Sequence, residues 1–297
     1  MKIIKPSVTI IAQEPGYDGM MRHIELCGRT CYKSTDRITE NSAERFVDTL
    51  KKSGHLSVLE HGAVYLQMPY SKVAHDAFDR NPYSKVSAIE EAGSLFVSTN
   101  YRVIIEHHLE DLMKYQVEPG PMHELRVTAR FATQIAITRE YNRHRVNSPS
   151  EESTRYVNYS KERFGNKIAI NLPTWIDENE IRVYPDDTES FQSRVQRRDW
   201  SNLNGWHELD YWLFANEACE FAYMNLIRLG WKPQQARTIL PLDTNTELVH
   251  TAFVNDWKHF FGLRCAHDAH PDARFLATEL KNLMTASGII EPANEEA

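Results

Sequence analysis

Between Leu125 and Arg145 the spacing of apolar residues changes from two to helical, which sharply limits what this part of the chain can form. Leu125 to Ala132 (LRVTARFA) alternates, the pattern of a strand with one face buried. From Thr133 to Arg143 the spacing predicts a helix, with Ile135, Ala136 and Ile137 in its first turns. Glu140 lies three residues before Arg143 and four before His144, so the three are expected on one helix face. The helix then delivers Arg143, His144 and Arg145 to one place. After seven further residues come Ser153, Thr154 and Arg155, so four cationic or potentially cationic side chains fall within thirteen residues. A helix C-terminus favours one or two cations through its dipole, but not the whole set. A bound polyanion accounts for the rest, because guanidinium forks match phosphate and carboxylate bidentately.

Charge narrows the choice of polyanion. The chain of 297 residues carries a formal net charge of -7, the wrong sign for a general nucleic-acid binder. A local arginine cluster on an acidic protein fits a small phosphorylated ligand. With 41% hydrophobic and 25% charged residues the composition is that of an ordinary soluble enzyme. No apolar run approaches the roughly 18 residues of a membrane span, and the N-terminal MKIIKPSVTIIAQEPG lacks a small-residue cleavage site. A cytoplasmic location is expected (host cytoplasm for a viral chain). Cys27 and Cys31 form a C-x3-C pair, but Cys219 and Cys265 do not make a second one, so no metal site is expected.

Elsewhere the pattern predicts a strand over Lys2–Ala12 and a helix opened by an Asn41-x-x-Glu44 capping box and closed by Gly54. A turn and strand over His55–Met68 should follow, then an irregular excursion over 70–94. Ser94–Ile105 reads as a strand leading to a helix near 107–117, and Glu118-Pro119-Gly120-Pro121 breaks the chain. The polar stretch from Tyr159 to about Gly205 reads as solvated surface, and little weight falls on its Arg194, Arg197 and Arg198. Leu209, Trp212, Ala215, Cys219, Ala222 and Leu226 keep helical spacing over Glu208–Leu229, closed by Gly230. Pro233 suits a short helix reaching Leu240, Thr246 a cap for one extending to Gly262, and Pro271 the start of the last, ending at Gly288. The tail EPANEEA is expected to be disordered. The sum is an α+β chain, a twisted mixed or antiparallel sheet packed with several long helices. It is expected to be a single domain over 1–297 with surface insertions near 70–94 and 180–205.

Arg143-His144-Arg145, seven residues and then Ser153 resembles the signature of the flavin-dependent thymidylate synthases, and the likeness runs on from Glu152 to Ser160. Gly54–His61, Ala236–Leu242 (ARTILPL) and Gly262-Leu263-Arg264 are similar to other segments of that family. The resemblance implies methylation of dUMP to dTMP, with 5,10-methylenetetrahydrofolate as carbon donor and FAD as hydride carrier. NADPH or NADH would re-reduce the flavin. It also implies a homotetramer with active sites at subunit interfaces, and neither a nucleic-acid nor a membrane partner. The positions matching dUMP ligands are Glu140, Arg143, Glu151, Ser153, Thr154, Arg155, Arg237 and Arg264. Those matching FAD contacts are Ser57, Arg143, His144, Arg145, Glu151 and His259.

Arg264 matches the position that contacts and activates the pyrimidine, and is the expected catalytic residue. Hydride transfer to C6 of uracil builds negative charge on O4, C4 and C5, which a fixed guanidinium can stabilise. The cofactor carries the hydride while the protein orients and polarises. Pro149 and Ser150 depart from versions of the motif with Val-Asn there, and Phe253 and Asn255 from polar or cationic residues in relatives. His55 reads either as a flavin neighbour or as a structural hydrogen-bonder, His61 likewise, and His267 and His270 form an H-x2-H pair. Three other readings stay open. Ser153 could be a nucleophile if a base lies in reach. The arginine cluster could serve a non-catalytic nucleotide- or RNA-binding protein, or the histidines a metal-dependent hydrolase.

Overall fold

The computed structural model describes residues 1–177 and 208–292. The expected first strand is two, β1 (Lys2–Ile4) and β2 (Ser7–Ile11), interrupted at Lys5-Pro6, where proline has no N–H to donate. Helix α1 (Gly16–Cys31) has no counterpart in the sequence reading. Its glycines allow close packing: a Cβ on Gly19 would run into the Glu14 carbonyl, and one on Gly28 would lie 2.7 Å from Phe46. Helix α2 (Ala43–Ser53) closes at Gly54 with φ 73°, as expected, but the capping box does not form. Ser42 precedes the helix, and its hydroxyl accepts from Thr39 N–H (2.9 Å) and donates to Glu25 (2.8 Å).

A 3-10 turn over Leu56–His61 leads into β3 (Ala63–Pro69). Residues 70–94, expected to be irregular, instead contain α3 (Lys72–Asp79) and β4 (Lys85–Ile89). Strand β5 (Ser94–Asn100) runs into α4 (Tyr101–Glu106), and the helix expected near 107–117 is a 3-10 turn over Glu110–Tyr115. Then come β6 (Arg126–Gln134), α5 (Ile135–Tyr141), β7 (Ser148–Glu151) and β8 (Ala169–Asn171). Helix α6 (Glu208–Arg228) is followed by α7 (Pro233–Ala236) and a 3-10 turn over Arg237–Ile239. Thr246 caps no helix. It lies in β9 (Asn245–Phe253), which precedes α8 (Val254–Arg264) and α9 (Pro271–Ala286). The mixed helix-and-strand class agrees with the sequence expectation.

The chain divides into two compact units, each assembled from three segments. The first comprises Met1–Ser7, Ala132–Arg139 and Ser153–Thr246. In it β1 pairs parallel with β8, Lys2 opposite Ala169 and Ile4 opposite Asn171. Val157, Tyr159, Ile168, Ile170, Tyr223 and Ala236 form its core. Residues 160–177 are thus partly core rather than solvated surface. The insertion near 180–205, its three arginines and the last five residues of the tail lie outside the described residues. On α6 the buried row is Leu209, Leu213, Asn216, Glu217 and Tyr223, displaced from the expected apolar stripe, and Ala215 is exposed. The polar members explain the shift. Asn216 donates to Trp212 O (3.0 Å), and Trp212 Nε1 donates to Asp243 (2.6 Å), so this face is held by hydrogen bonds as well as apolar contact.

The second unit comprises Val8–Phe131, Glu140–Glu152 and Glu247–Ala297. It holds the antiparallel sheet β3-β5-β4, with Ala63 opposite Asn100 and Lys85 opposite Ser98. It also holds most of a four-stranded sheet in the order β2-β6-β9-β7. The outermost strand, β7, pairs antiparallel with β9, Ser148 opposite Thr251 and Glu151 opposite Leu248. An edge strand tolerates Pro149, which has no N–H to contribute to a ladder. Met20, Ile24, Leu59, Leu66, Leu95 and Ile104 pack one core. Phe131, Tyr141, Trp257 and Phe260 pack a second, with ring centroids 4.9 Å apart for Tyr141–Phe260 and 5.1 Å for Trp257–Phe260. Tyr141 donates to Ala273 O (2.7 Å) and Trp257 to Val127 O (3.0 Å), so neither buried ring carries an unpaired polar atom.

Candidate functional site

Helix α5 stops at Tyr141, two residues short of the expected end, so Arg143-His144-Arg145 lies in the turn beyond it. His144 N–H donates to Tyr141 O (3.1 Å) and Asn147 N–H to His144 O (3.1 Å). This tight turn separates the three side chains that the helical reading had put together. Arg143 and Arg145 are exposed, with no ion pair among the described residues, while His144 is buried. Its imidazole packs on Phe260 at 4.8 Å and stands 6.0 Å from His259. Burial, then the Arg264 charge and His259, pull its pKa from 6.5 down to about 4. His144 is neutral at pH 7, so the expected fourth cation is absent and the repulsion within the motif is smaller.

Arg264, in the last turn of α8, reaches this turn with its whole guanidinium. Nη1 donates to the Glu140 carboxylate (2.8 Å), Nη2 to the Glu140 carbonyl (2.6 Å) and Nε to His144 Nε2 (3.1 Å). The second unit therefore brings Glu140, His144, His259 and Arg264 together. His259 does not share a helical face with Leu248 and Ala252, as expected, because those two residues belong to β9. The spacer between the arginines and Ser153 is largely β7. Glu151 accepts from Asn142 Nδ2 (3.2 Å), and buried Glu152 pairs with Lys33 at 3.4 Å.

In the first unit, Ser153 O accepts the N–H groups of Tyr156 and Val157 (3.0 Å each), which closes a turn over Ser153–Val157. Arg237 Nη1 donates to Thr154 Oγ1 (3.3 Å), and Arg155 lies 5.6 Å from the Tyr156 ring. Arg155 and Arg237 are both exposed. The Thr154 hydroxyl and the Arg237 guanidinium are adjacent, and neither Arg155 nor Arg237 has an ion pair among the described residues, so a phosphate could be received without first breaking one.

The remaining candidates separate clearly. Ser57 and His55 are exposed near the 3-10 turn, and His55 Nδ1 lies 3.4 Å from the Tyr32 hydroxyl. His61 is fully buried and structural: Nδ1 bonds Thr251 and Nε2 bonds Ser150, each at 2.8 Å. The chain of hydrogen bonds continues from Thr251 to Thr128 (2.7 Å) and on to His23 (2.9 Å). Ser150, the departure from the Val-Asn variant, serves this network. Phe253 is buried with Arg126 5.1 Å from its ring, and Asn255 contributes its N–H to Glu124 (3.1 Å). His270 Nδ1 accepts Asp272 N–H (3.3 Å) at the start of α9, a helix-capping use of that imidazole. A cavity of about 230 Å³ in the second unit, lined by His23, Tyr65 and Arg126 among others, contains none of the expected site residues. Among the described residues no three His, Cys, Asp or Glu side chains are grouped to hold a metal ion, and no helix is long and apolar enough to cross a membrane.

Comparison with known proteins bears on this arrangement. The flavin-dependent thymidylate synthase of Geobacter sulfurreducens is 28% identical over 149 residues, 50% of this chain and 51% of that protein. The chain thus matches about half the length of this curated relative. The solved UMP/dUMP methylase PolB from Streptomyces cacaoi, bound with 5-Br dUMP, is 17% identical, with 96% of this chain and 93% of that one covered at a TM-score of 0.42. Its complex with 5-Br UMP gives 15%, 96%, 91% and 0.42. Residues 77–287 match the family described as thymidylate synthase complementing protein, and that span includes the Arg-His-Arg turn, Arg237 and Arg264. With the match extending over most of its length, the chain belongs to the thymidylate synthase complementing protein family.

Proposed function

We propose that this protein methylates dUMP to dTMP, with 5,10-methylenetetrahydrofolate as carbon donor and FAD, re-reduced by NADPH or NADH, as redox cofactor. The observation that carries the reading is the Arg264 guanidinium, held on three of its nitrogens within the family-matched span; hydride transfer to a pyrimidine calls for a fixed positive charge beside the ring. When bound, the flavin supplies the hydride. The donor set fits such a dianionic cofactor: Arg143 and Arg145 are exposed and free of ion pairs among the described residues, and Ser57 is exposed. His144, His259 and Glu151 complete the proposed FAD contacts.

For the nucleotide, Ser153, Thr154, Arg155 and Arg237 are assigned to the phosphate and sugar, and Arg264 to the base. Glu140, Arg143 and Glu151 are further dUMP ligands in this reading, although Glu140 already holds Arg264. Assembly as a cytoplasmic homotetramer, with sites completed by neighbouring subunits, belongs to the same proposal. Arg264 stabilises the charge that develops on O4 of the uracil, and no protein nucleophile is required.

Arg155→Ala tests the nucleotide assignment. Loss of a charge-assisted contact to phosphate should weaken dUMP binding about ten- to hundredfold. The visible spectrum of the FAD-loaded protein should be unchanged. Equal dUMP affinities for the variant and wild type, measured by equilibrium titration, contradict the assignment, as does purified protein that takes up no FAD.

A further inference from the structure

We propose that Glu140 and His144 are positioning residues for Arg264, clamping its guanidinium in one orientation through a carboxylate, a main-chain carbonyl and a neutral imidazole. The inference deepens the reading above and rests on it for the identity of the substrate. A guanidinium has five N–H donors. The clamp uses one on each nitrogen, which leaves one on Nη1 and one on Nη2 for a ligand. The C4 carbonyl oxygen of a uracil has two lone pairs to accept from such donors and takes on negative charge once C6 has received hydride.

The clamp fixes the state of His144. Its Nε2 receives a hydrogen bond from a permanent cation, so that nitrogen must carry the lone pair and the proton must sit on Nδ1. A protonated imidazole would offer Arg264 no acceptor and a like charge. The groups around it favour the neutral form: Arg264 and His259 come from α8, Phe260 packs on the ring, and His250 of β9 is coupled to it electrostatically. The Glu140 carboxylate pairs with Arg264 rather than with the imidazole. The turn after α5 therefore divides the work of the motif. It sends His144 inward beneath Arg264 and leaves Arg143 and Arg145 facing outward.

A surface ion pair would leave Arg264 mobile, and solvent exchange of its Nε–H separates that alternative from a clamp. In full-length, 15N-labelled protein, the Arg264 Nε–H signal is identified by its loss in Arg264→Lys. It should be slow to exchange in wild type, retained in Glu140→Gln, and lost in Glu140→Ala and in His144→Phe, which keeps the ring packing but has no acceptor. In FAD-loaded protein, Glu140→Ala and His144→Phe should lower kcat for dUMP by about 10²-fold, the cost of a misoriented group. Glu140→Gln should recover most of it. A wild-type Arg264 Nε–H that exchanges as fast as those of exposed arginines overturns the proposal, as does His144→Phe with signal and kcat intact. If the signal follows the expected pattern while wild type makes no dTMP, the clamp stands and the reading of its substrate falls.

Discussion

On the proposed reaction, Arg264→Ala should lower kcat for dUMP by about 10²–10³-fold, the size of effect seen when one preorganised electrostatic group is removed from an active site. Affinity for dUMP changes far less, because Arg155, Arg237 and the Thr154 hydroxyl do not depend on Arg264 to be in place. The asymmetry follows from charge. Ground-state uracil is neutral and gains little from a cation, whereas the ring carries negative charge once C6 has received hydride. Binding that is stronger only after charge develops raises kcat rather than affinity. Removing Arg264 also strips Glu140 of its ion pair, but that carboxylate is 32% exposed and can turn to water. The fold should therefore survive the substitution, and the deficit should belong to chemistry. Single-turnover rates beside an equilibrium dUMP titration check this. A loss confined to KM would contradict it.

Acidification destabilises the protein well before its carboxylates are protonated. His23 is pulled from 6.5 to about 4, first by burial and also by the Arg126 charge, against a raising interaction with the Ala12 backbone. Burial also holds His250 at about 3, and His61 well below its ordinary value with help from His23, Arg126 and His250. Each is neutral in the fold and free to protonate in the unfolded chain. Between the unfolded pKa near 6.5 and these lower folded values the unfolded state binds more protons, so stability rises with pH across that window. It is complete above about pH 6.5 and is lost as pH falls towards 4. His23 alone accounts for about 3 kcal/mol over the full window. His61 and His250 add to this, though less than independently because the groups interact. Denaturant unfolding at about pH 7.5 and about pH 5 should show a loss of several kcal/mol. A stability unchanged between the two would show that these imidazoles are not neutral and buried.

What the sequence reveals and conceals follows from where burial leaves a periodic trace. Strand β6 and helix α5 were legible because apolar spacing changes once, near Ala132. Strand β9 was not: it is buried along nearly its whole length, so NTELVHTAF shows no alternation, and Leu248 and Ala252 happen to fall at helical spacing. Helix α1 was hidden by the two glycines that permit its close packing. On α6, the burial of Asn216 and Glu217 put polar residues where an apolar stripe was sought. The family motif located Arg143, His144, Arg145 and Arg264 but not their arrangement. A clamp between residues 120 positions apart has no local signature, and the neutrality of His144 depends on neighbours that only the fold supplies. Reading the arginine-rich turn as a row of equal cations therefore missed its division into one inward imidazole and two outward guanidiniums.

The most direct measurement is an anaerobic single turnover of the FAD-loaded, fully reduced protein with dUMP and 5,10-methylenetetrahydrofolate, with the nucleotide product identified. The account predicts dTMP in proportion to enzyme, formed only when both substrates are present, and flavin reoxidation that requires dUMP. Reduced holoprotein that yields no dTMP, or that reoxidises equally with and without the nucleotide, would contradict it.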